Sequence, residues 1–333
     1  MGKKFGDGIL KKLNDMPQQF DVIPTGSMML DHKLGIGGWP RRCISTVWGA
    51  ENAGKTTLMY NSMAEALKMG GSVLFVDKEG KASQGWIRTN IESIGAPTDK
   101  LLIAQQPHGE DAEEFTGTQA LDMVKAAIVA NAFDLIVVDS AFALYTPAEG
   151  DADSADAHMG QLARLLSQYL KPISGKVGAS DTALVFTNQL RNKLGVMFGS
   201  PEIMPGGQAL KQHSIIIVRL RLGKKFPGNE NPQGVFINAR VEKNQARSDK
   251  QSPFQAVSWR IRFDSGIDNL TDIGEYAMET GVLHTIDGGR KLFFDGEVIG
   301  GGREAALTAI RENPELAEKI KEAVISQERI LKL

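Results

Sequence analysis

Gly49-Ala50-Glu51-Asn52-Ala53-Gly54-Lys55-Thr56-Thr57 has the spacing G-x-x-x-x-G-K-[ST], a loop that turns backbone N–H groups onto nucleotide phosphates. Its flanks supply the required context. Residues 43–48 form a β-branched, apolar run that reads as a buried strand entering the loop, and residues 57–69 leave it with apolar positions at helical spacing. Strand, loop and helix in that order aim the loop amides and the positive end of the helix at one anion. Gly49 and Gly54 permit close backbone approach, and Glu51, Asn52, Ala53 and Thr57 complete the cradle. Lys55 is placed to reach the β- and γ-phosphates, and Thr56 to ligate Mg²⁺.

Outward from the loop, apolar or β-branched runs at 72–76, 101–105, 134–138 and 182–187 alternate with helical segments, the pattern of a mostly parallel sheet with helices on both faces. After residue 208 the rhythm changes. Strands at 214–222, 234–242 and 256–263 follow one another too closely for helices between them, so they extend the sheet in antiparallel fashion. Beyond 266 the pattern is a helix at 269–280, short strands near 282–284 and 291–294, and helices from Arg303 and Pro314, a small α+β C-terminal domain. The expected organisation is an N-terminal segment over 1–25, with Ile9, Leu10 and Leu13 at the spacing of a short helix that docks elsewhere, an α/β P-loop core over 26–265, and the C-terminal domain over 266–333.

Composition narrows the class. The chain has 333 residues, 42% apolar and 23% charged, enough for a large core, and its net charge of −2 neither favours nor opposes nucleic acid overall. The single cysteine, Cys43, rules out a disulfide framework and suits a reducing, cytoplasmic setting. No apolar run approaches the ~20 residues of a membrane span.

A P-loop enzyme needs a second carboxylate for Mg²⁺, commonly at the end of a neighbouring apolar strand. Asp139, in Leu135-Ile136-Val137-Val138-Asp139-Ser140, has that position, although buried strands also end on acids for structural reasons. Glu79, just past the strand ending in Val76-Asp77, is the candidate base for the attacking water. Its competing reading is a solvated glutamate paired with Lys78 or Lys81.

Taken together, Pro24-Thr25-Gly26-Ser27-Met28-Met29-Leu30-Asp31, the P-loop, Val138-Asp139-Ser140, His158-Met159-Gly160, Asn188-Gln189-Leu190-Arg191 and Gly195-Val196-Met197-Phe198-Gly199 strongly resemble the RecA family of strand-exchange ATPases, bacterial and phage-encoded. The resemblance covers roughly residues 23–325. It implies a RecA-like P-loop NTPase core, ATP and Mg²⁺ as cofactors, and a DNA-dependent ATPase that polymerises on single-stranded DNA and pairs it with a homologous duplex. Ser140 would join the nucleotide site, Trp86 would stack on adenine where a lone tryptophan is otherwise more often core, and Gln189 would sense the γ-phosphate. Lys243 would act across the filament interface on the neighbour's nucleotide. A second family lysine falls on Gln245, with Arg247 or Lys250 as possible substitutes. Lys78 and Lys81 also depart from the family, and their charge should lower the pKa of Glu79 and slow hydrolysis.

Two loops, about 146–157 and 191–208, would bind DNA. The first holds acids and no Lys or Arg between residues 147 and 157, so Met159 and Arg164 are its candidate contacts. The second opens a stretch, residues 189–226, with seven cationic side chains against Glu202 alone. Arg191, Lys193, Arg221 and Arg240 are candidate phosphate contacts, Val196, Met197 and Phe198 candidate apolar wedges, and Gly206 and Gly207 candidate backbone contacts. Single-strand-binding and loader proteins are conceivable partners. Two other classes use the same elements: a ring-forming DNA motor, and a filament-forming scaffold or regulatory protein with weak hydrolysis.

Overall fold

Strands that are apolar at successive positions can be stable only with both faces covered, and that is the arrangement observed. The computed structural model describes residues 12–15, 19–109, 112–144, 155–192, 202–227, 230–247, 252–286 and 288–331. Its main sheet has nine strands: β1 Ile44–Gly49, β2 Val73–Asp77, β3 Leu101–Gln105, β4 Leu135–Asp139, β5 Ala183–Gln189, β6 Ser214–Phe226, β7 Gly234–Asn244, β8 Ala256–Arg262 and β9 Gly266–Ile267. They lie in the order β9-β8-β7-β6-β1-β5-β4-β2-β3. From β6 to β3 every pairing is parallel, and β6 through β9 are antiparallel.

Alternation along each strand feeds two cores. In β4, Leu135 and Val137 enter one, with Leu58 and Met63 of α2 (Lys55–Lys68) and Ile87 and Ile91 of α3 (Gln84–Glu92). Ile136 and Val138 enter the other, with Leu121 and Val124 of α4 (Gly117–Val129) and Leu162, Leu166 and Leu170 of α5 (Ala155–Val177). Most helix starts carry the side-chain cap their sequence suggests. Ser27 caps α1 (Met28–Leu34), Ser83 caps α3, and Thr116 with Gln119 forms a capping box on α4.

The C-terminal part contains α7 (Asn269–Thr280), α8 (Arg303–Glu312) and α9 (Pro314–Leu331), with α6 (Ala209–His213) preceding it in the core. It also holds a three-stranded sheet of His284–Thr285, Leu292–Phe294 and Glu297–Gly300. The last strand was not foreseen. Its signal was Asp295-Gly296, where φ values of 50° and 81° make the left-handed turn that closes a hairpin. Residues 266–267 belong to the main sheet as β9, and Ile273, Tyr276, Ile310 and Ile320 share the first core, so the C-terminal elements are packed into the same apolar cluster as the sheet. The expected N-terminal docking helix lies outside the described residues, except that Leu13–Asp15 forms a short 3₁₀ turn.

One buried polar junction ties chain start to chain end. Asp272 of α7 accepts hydrogen bonds from Ser27 Oγ at 2.8 Å and from the Met29 amide at 3.3 Å. Burial pushes its carboxyl up to about 7, against the opposing pull of the Ser27 bond. A carboxyl whose folded pKa is raised binds its proton more tightly when folded, so its stabilising contribution is greatest below about pH 4 and is lost as pH rises toward 7. Asp272→Asn should therefore melt above the unaltered chain at pH 8, with the gap closing by roughly 1.4 kcal/mol per unit as pH falls from 7 to 5. Thermal unfolding across that range measures it, and a gap independent of pH refutes the assignment.

Candidate active site

Parallel strands hydrogen-bonded in register deliver their carboxyl ends to one edge of the sheet, where ligands of open α/β folds bind. Here Gly49 of β1 faces Gln189 of β5, and Asp77 of β2 faces Asp139 of β4. These ends border a cavity of about 700 Å³, within the usual range for small-molecule sites. Its lining includes Glu51, Asn52, Gly54, Lys55, Thr56 and Thr57 of the loop, with Glu79, Trp86, Asp139 and Gln189. Ala53 is fully buried beneath the loop.

Gly54 takes φ 79° and leads into α2 without a side-chain cap, so the first amides of that helix are free of any capping oxygen from the chain. A Cβ at Gly49 would stand 2.3 Å from the Leu220 carbonyl oxygen, so this glycine serves the approach of β6 and not of a phosphate. The Lys55 ammonium is buried and bonds the Gly49 and Ala50 carbonyls at 3.2 and 2.7 Å. Burial lowers its pKa, with Asp139 and Glu79 opposing. Thr56 Oγ1 donates to Asp139 Oδ2 at 2.6 Å, and Thr187 Oγ1 donates to Asp139 Oδ1. Burial raises the Asp139 carboxyl against both bonds. Thr187 was missed from the sequence; a hydroxyl two positions before the strand-end Gln189 was the available signal.

Among the described residues no group of three or more His, Cys, Asp or Glu side chains converges on a metal. One hydroxyl and one carboxylate, hard oxygen donors beside a phosphate cradle, suit Mg²⁺ carried in with its phosphates.

Three side chains hold Glu79. Its Oε1 accepts from Ser140 Oγ and Gln189 Nε2, each at 2.8 Å, and its Oε2 pairs with Lys81 Nζ at 2.9 Å. Burial raises its pKa, but the bonds from Lys81, Gln189 and Ser140, with the Lys81 charge, outweigh it and the net shift is downward. The expectation that Lys78 contributes is corrected. Lys78 turns away, bonding the Phe115 carbonyl and lying 5.0 Å from that ring's centre. Asp77 accepts the amides of Glu79, Gly80 and Ala82 at 3.1, 2.9 and 3.0 Å, and the Gln105 amide at 2.7 Å, so it shapes the loop that carries Glu79.

Trp86 presents a half-exposed ring to the cavity from α3, and Ser83 spends its hydroxyl on the helix cap. Lys243 does not line its own chain's cavity and donates to the Lys211 carbonyl at 2.8 Å. Burial lowers its pKa. Arg247 is engaged with the Lys33 carbonyl at 2.8 Å, and Lys250 lies outside the described residues.

Of the candidate DNA contacts, Lys193, Val196, Met197 and Phe198 lie outside the described residues, as does most of the first loop. Arg191 is exposed, 4.4 Å over the Phe142 ring, and pairs with Ile203 to close the base of the second loop. The basic stretch is less free than its charge count implied. Glu202 binds both Arg219 and Arg221, and Arg219 also lies 3.8 Å from Glu242 and stacks on Trp48. Arg240 is exposed opposite Arg219 in the β6–β7 pairing. Arg164 is exposed and Met159 half-buried on α5. Gly206 and Gly207 pack on that helix, where added Cβ atoms would come 2.5 Å from Leu166 Cδ1 and 3.0 Å from Ala163 Cβ.

The RecA N-terminal domain family matches residues 1–268. Protein RecA of Thermus thermophilus is 38% identical over 328 residues, 98% of this chain and 91% of its own. Protein RecA of Bacteroides thetaiotaomicron is 37% identical over 320 residues, covering 96% and 92%, and that of Ruminococcus albus 35% over 323, covering 97% and 77%. The chain belongs to the RecA family. RecA-family proteins are ATP-dependent DNA recombinases with DNA-dependent ATPase activity, and they form filaments on DNA. The α/β sheet with its P-loop is the core of that family. Among the described residues no helix is long and apolar enough to cross a membrane.

If Glu79 is the base, activity falls as pH drops through its pKa, and kcat/KM for ATP hydrolysis reports the free enzyme. Lys81→Ala removes a main downward pull, so the acid limb should move to higher pH, whatever the height of the plateau. Lys78→Ala should leave the limb in place. A shift in Lys78→Ala and none in Lys81→Ala would reverse the assignment.

Proposed function

We propose that this RecA-family chain hydrolyses ATP in the strand-end cavity and uses the nucleotide-bound state to hold a helical filament on single-stranded DNA, which it pairs with a homologous duplex. The observation that carries this reading is the convergence of Lys55, Thr56, Asp139, Glu79 and Gln189 at one edge of the sheet. Lys55, the amides of residues 49–54 and the start of α2 hold the phosphates; Thr56 and Asp139 hold Mg²⁺, which neutralises phosphate charge; Trp86 stacks on the base. Glu79 orients and deprotonates water, and Ser140 and Gln189 fix its carboxylate.

Gln189 links this chemistry to DNA. It donates to Glu79 and stands two residues before Arg191, at the base of the second loop. A nucleotide that competes for either partner of this one bond biases the loop that follows. Arg191, Lys193, Arg221, Arg240 and Arg164 would contact phosphates, with Met159, Val196, Met197 and Phe198 spacing the bases and the backbone at Gly206 and Gly207 approaching the strand. Lys243 would complete the neighbour's site in a heterologous, open contact. Residues 1–25 would dock subunits, 26–265 form the ATPase core and 266–333 a C-terminal unit, in a cytoplasmic protein served by single-strand-binding and loading proteins. A DNA motor is not favoured, because the match to RecA proteins runs the length of the chain.

Joint formation between a labelled single strand and a homologous supercoiled duplex, with ATP and Mg²⁺, tests this. Joints should require homology and disappear in Lys55→Ala, whose hydrolysis should fall roughly 10²–10³-fold, the scale of losing one preorganised charge at a reacting phosphate. DNA-stimulated hydrolysis without joints would sink the strand-exchange reading in favour of the motor or the scaffold.

A further inference from the structure

The Glu79 pairing hides a second role for its partner. Lys81 lines the same cavity as Lys55, on the loop that Asp77 shapes, with its ammonium 2.9 Å from Glu79 Oε2 and 3.9 Å from Glu51 Oε1 of the P-loop. A cation bridging the P-loop and the candidate base stands over the place where the terminal phosphate must meet water. Its side chain is 66% exposed, so the ion pair is solvent-screened and weak, and is readily exchanged. A triphosphate carries several negative charges against one on Glu79, so it is the stronger partner for a mobile ammonium.

Charge accounting at the site asks for such a group. Besides Lys81, the cavity's charged lining is Glu51, Asp77, Glu79, Asp139 and Asp264 against Lys55 and Arg262; Lys55 is already bonded to the Gly49 and Ala50 carbonyls, and Arg262 is paired with Asp264. The position where a second lysine would come from a neighbour holds Gln245, whose exposed side chain carries no charge. Arg247 is tied to the Lys33 carbonyl. Of the cavity's other cations, Lys55 is bonded to carbonyls and Arg262 pairs with Asp264 and donates to Gln233; Lys81 is the one that sits beside Glu79, bridging it to the P-loop.

We propose that Lys81 is a catalytic residue acting in cis: on nucleotide binding its ammonium leaves Glu79 for the γ-phosphate oxygens, where it stabilises the transferred group and frees the Glu79 carboxylate to receive a proton. This rests on the reading of the cavity as an ATPase site. In the step itself, the water oxygen forms a bond to the terminal phosphorus as the bond to the bridging oxygen breaks. The electron pair stays with ADP, one water proton passes to Glu79 Oε2 and then to solvent, and inorganic phosphate is released. Lys81 keeps its proton and forms no covalent bond. One exchange thus couples binding to activation of the base, because the ion pair that holds Glu79 without nucleotide is the one the phosphate dissolves.

The experiment compares the full chain, Lys81→Ala, Lys81→Arg and Lys55→Ala on saturating single-stranded DNA, measuring kcat together with equilibrium binding of ADP and of adenosine 5′-(γ-thio)triphosphate. Expected for Lys81→Ala is a fall in kcat of about tenfold or more, with Lys81→Arg within about threefold of the full chain, since a positioned charge matters most in the transition state. Binding should separate in the same way: Lys81→Ala weakens the thiotriphosphate and leaves ADP within about twofold, because only the former presents a γ-phosphate. A kcat that is unchanged or raised in Lys81→Ala, or equal weakening of both nucleotides, overturns the proposal and leaves Lys81 as a brake on Glu79. Full hydrolysis in Lys55→Ala would instead overturn the reading of the cavity as the ATPase site.

Discussion

In-register hydrogen bonding between parallel strands is the constraint on which the site depends. Because β2 and β4 pair with Asp77 opposite Asp139, and β1 and β5 with Gly49 opposite Gln189, residues separated by more than a hundred positions arrive at one edge within bonding reach. A slip of one residue would turn the side chains of a strand onto its opposite face, and the alternation of Leu135 and Val137 against Ile136 and Val138 makes that costly. The same apolar alternation that covers both faces of the sheet therefore aims the polar ends.

Around that edge the site is built from groups that restrain one another. Asp139 is buried, yet held by Thr56 and Thr187; Glu79 is held by Ser140, Gln189 and Lys81. Buried acids without such partners would protonate. Asp77 binds the amides of Glu79, Gly80 and Ala82 and so shapes the loop from which Glu79 and Lys81 line the cavity. The bond from Gln189 to Glu79 joins the cavity to the strand that leads into the second loop, which is the route by which the proposed hydrolysis would reach the proposed DNA contacts.

Electrostatics along the basic stretch around the second loop is more restrained than the residue count conveys. Glu202, at the far end of the loop, engages Arg219 and Arg221, while Trp48 donates to Glu242 at 2.8 Å and lies under Arg219. Part of the positive charge is thereby spent on fastening β6, β7 and the loop base to the strand that carries the P-loop. Arg191, Arg164 and Arg240 retain exposed positions.

Much of this could be read from the chain alone. The P-loop, the alternation of strands and helices, the antiparallel extension, the helix at Asn269–Thr280 and the starts of the last two helices all follow from local spacing, capping and hydrophobic period, which neighbours in sequence determine. The placement of Asp139 at a strand end and of Glu79 just past one was legible because strand ends are local features. Tertiary structure alone decided partners: that Lys81 and not Lys78 faces Glu79, that Thr187 and Ser140 secure the two carboxylates, that Gly49 yields to Leu220, that Glu202 occupies two arginines, and that Asp272 meets Ser27 across 245 positions. The physical reason is the range of the forces involved. Period and capping act over a few residues of chain, whereas a hydrogen bond or ion pair is chosen by proximity in space and direction of a side chain, which the packed sheet supplies and residue order does not.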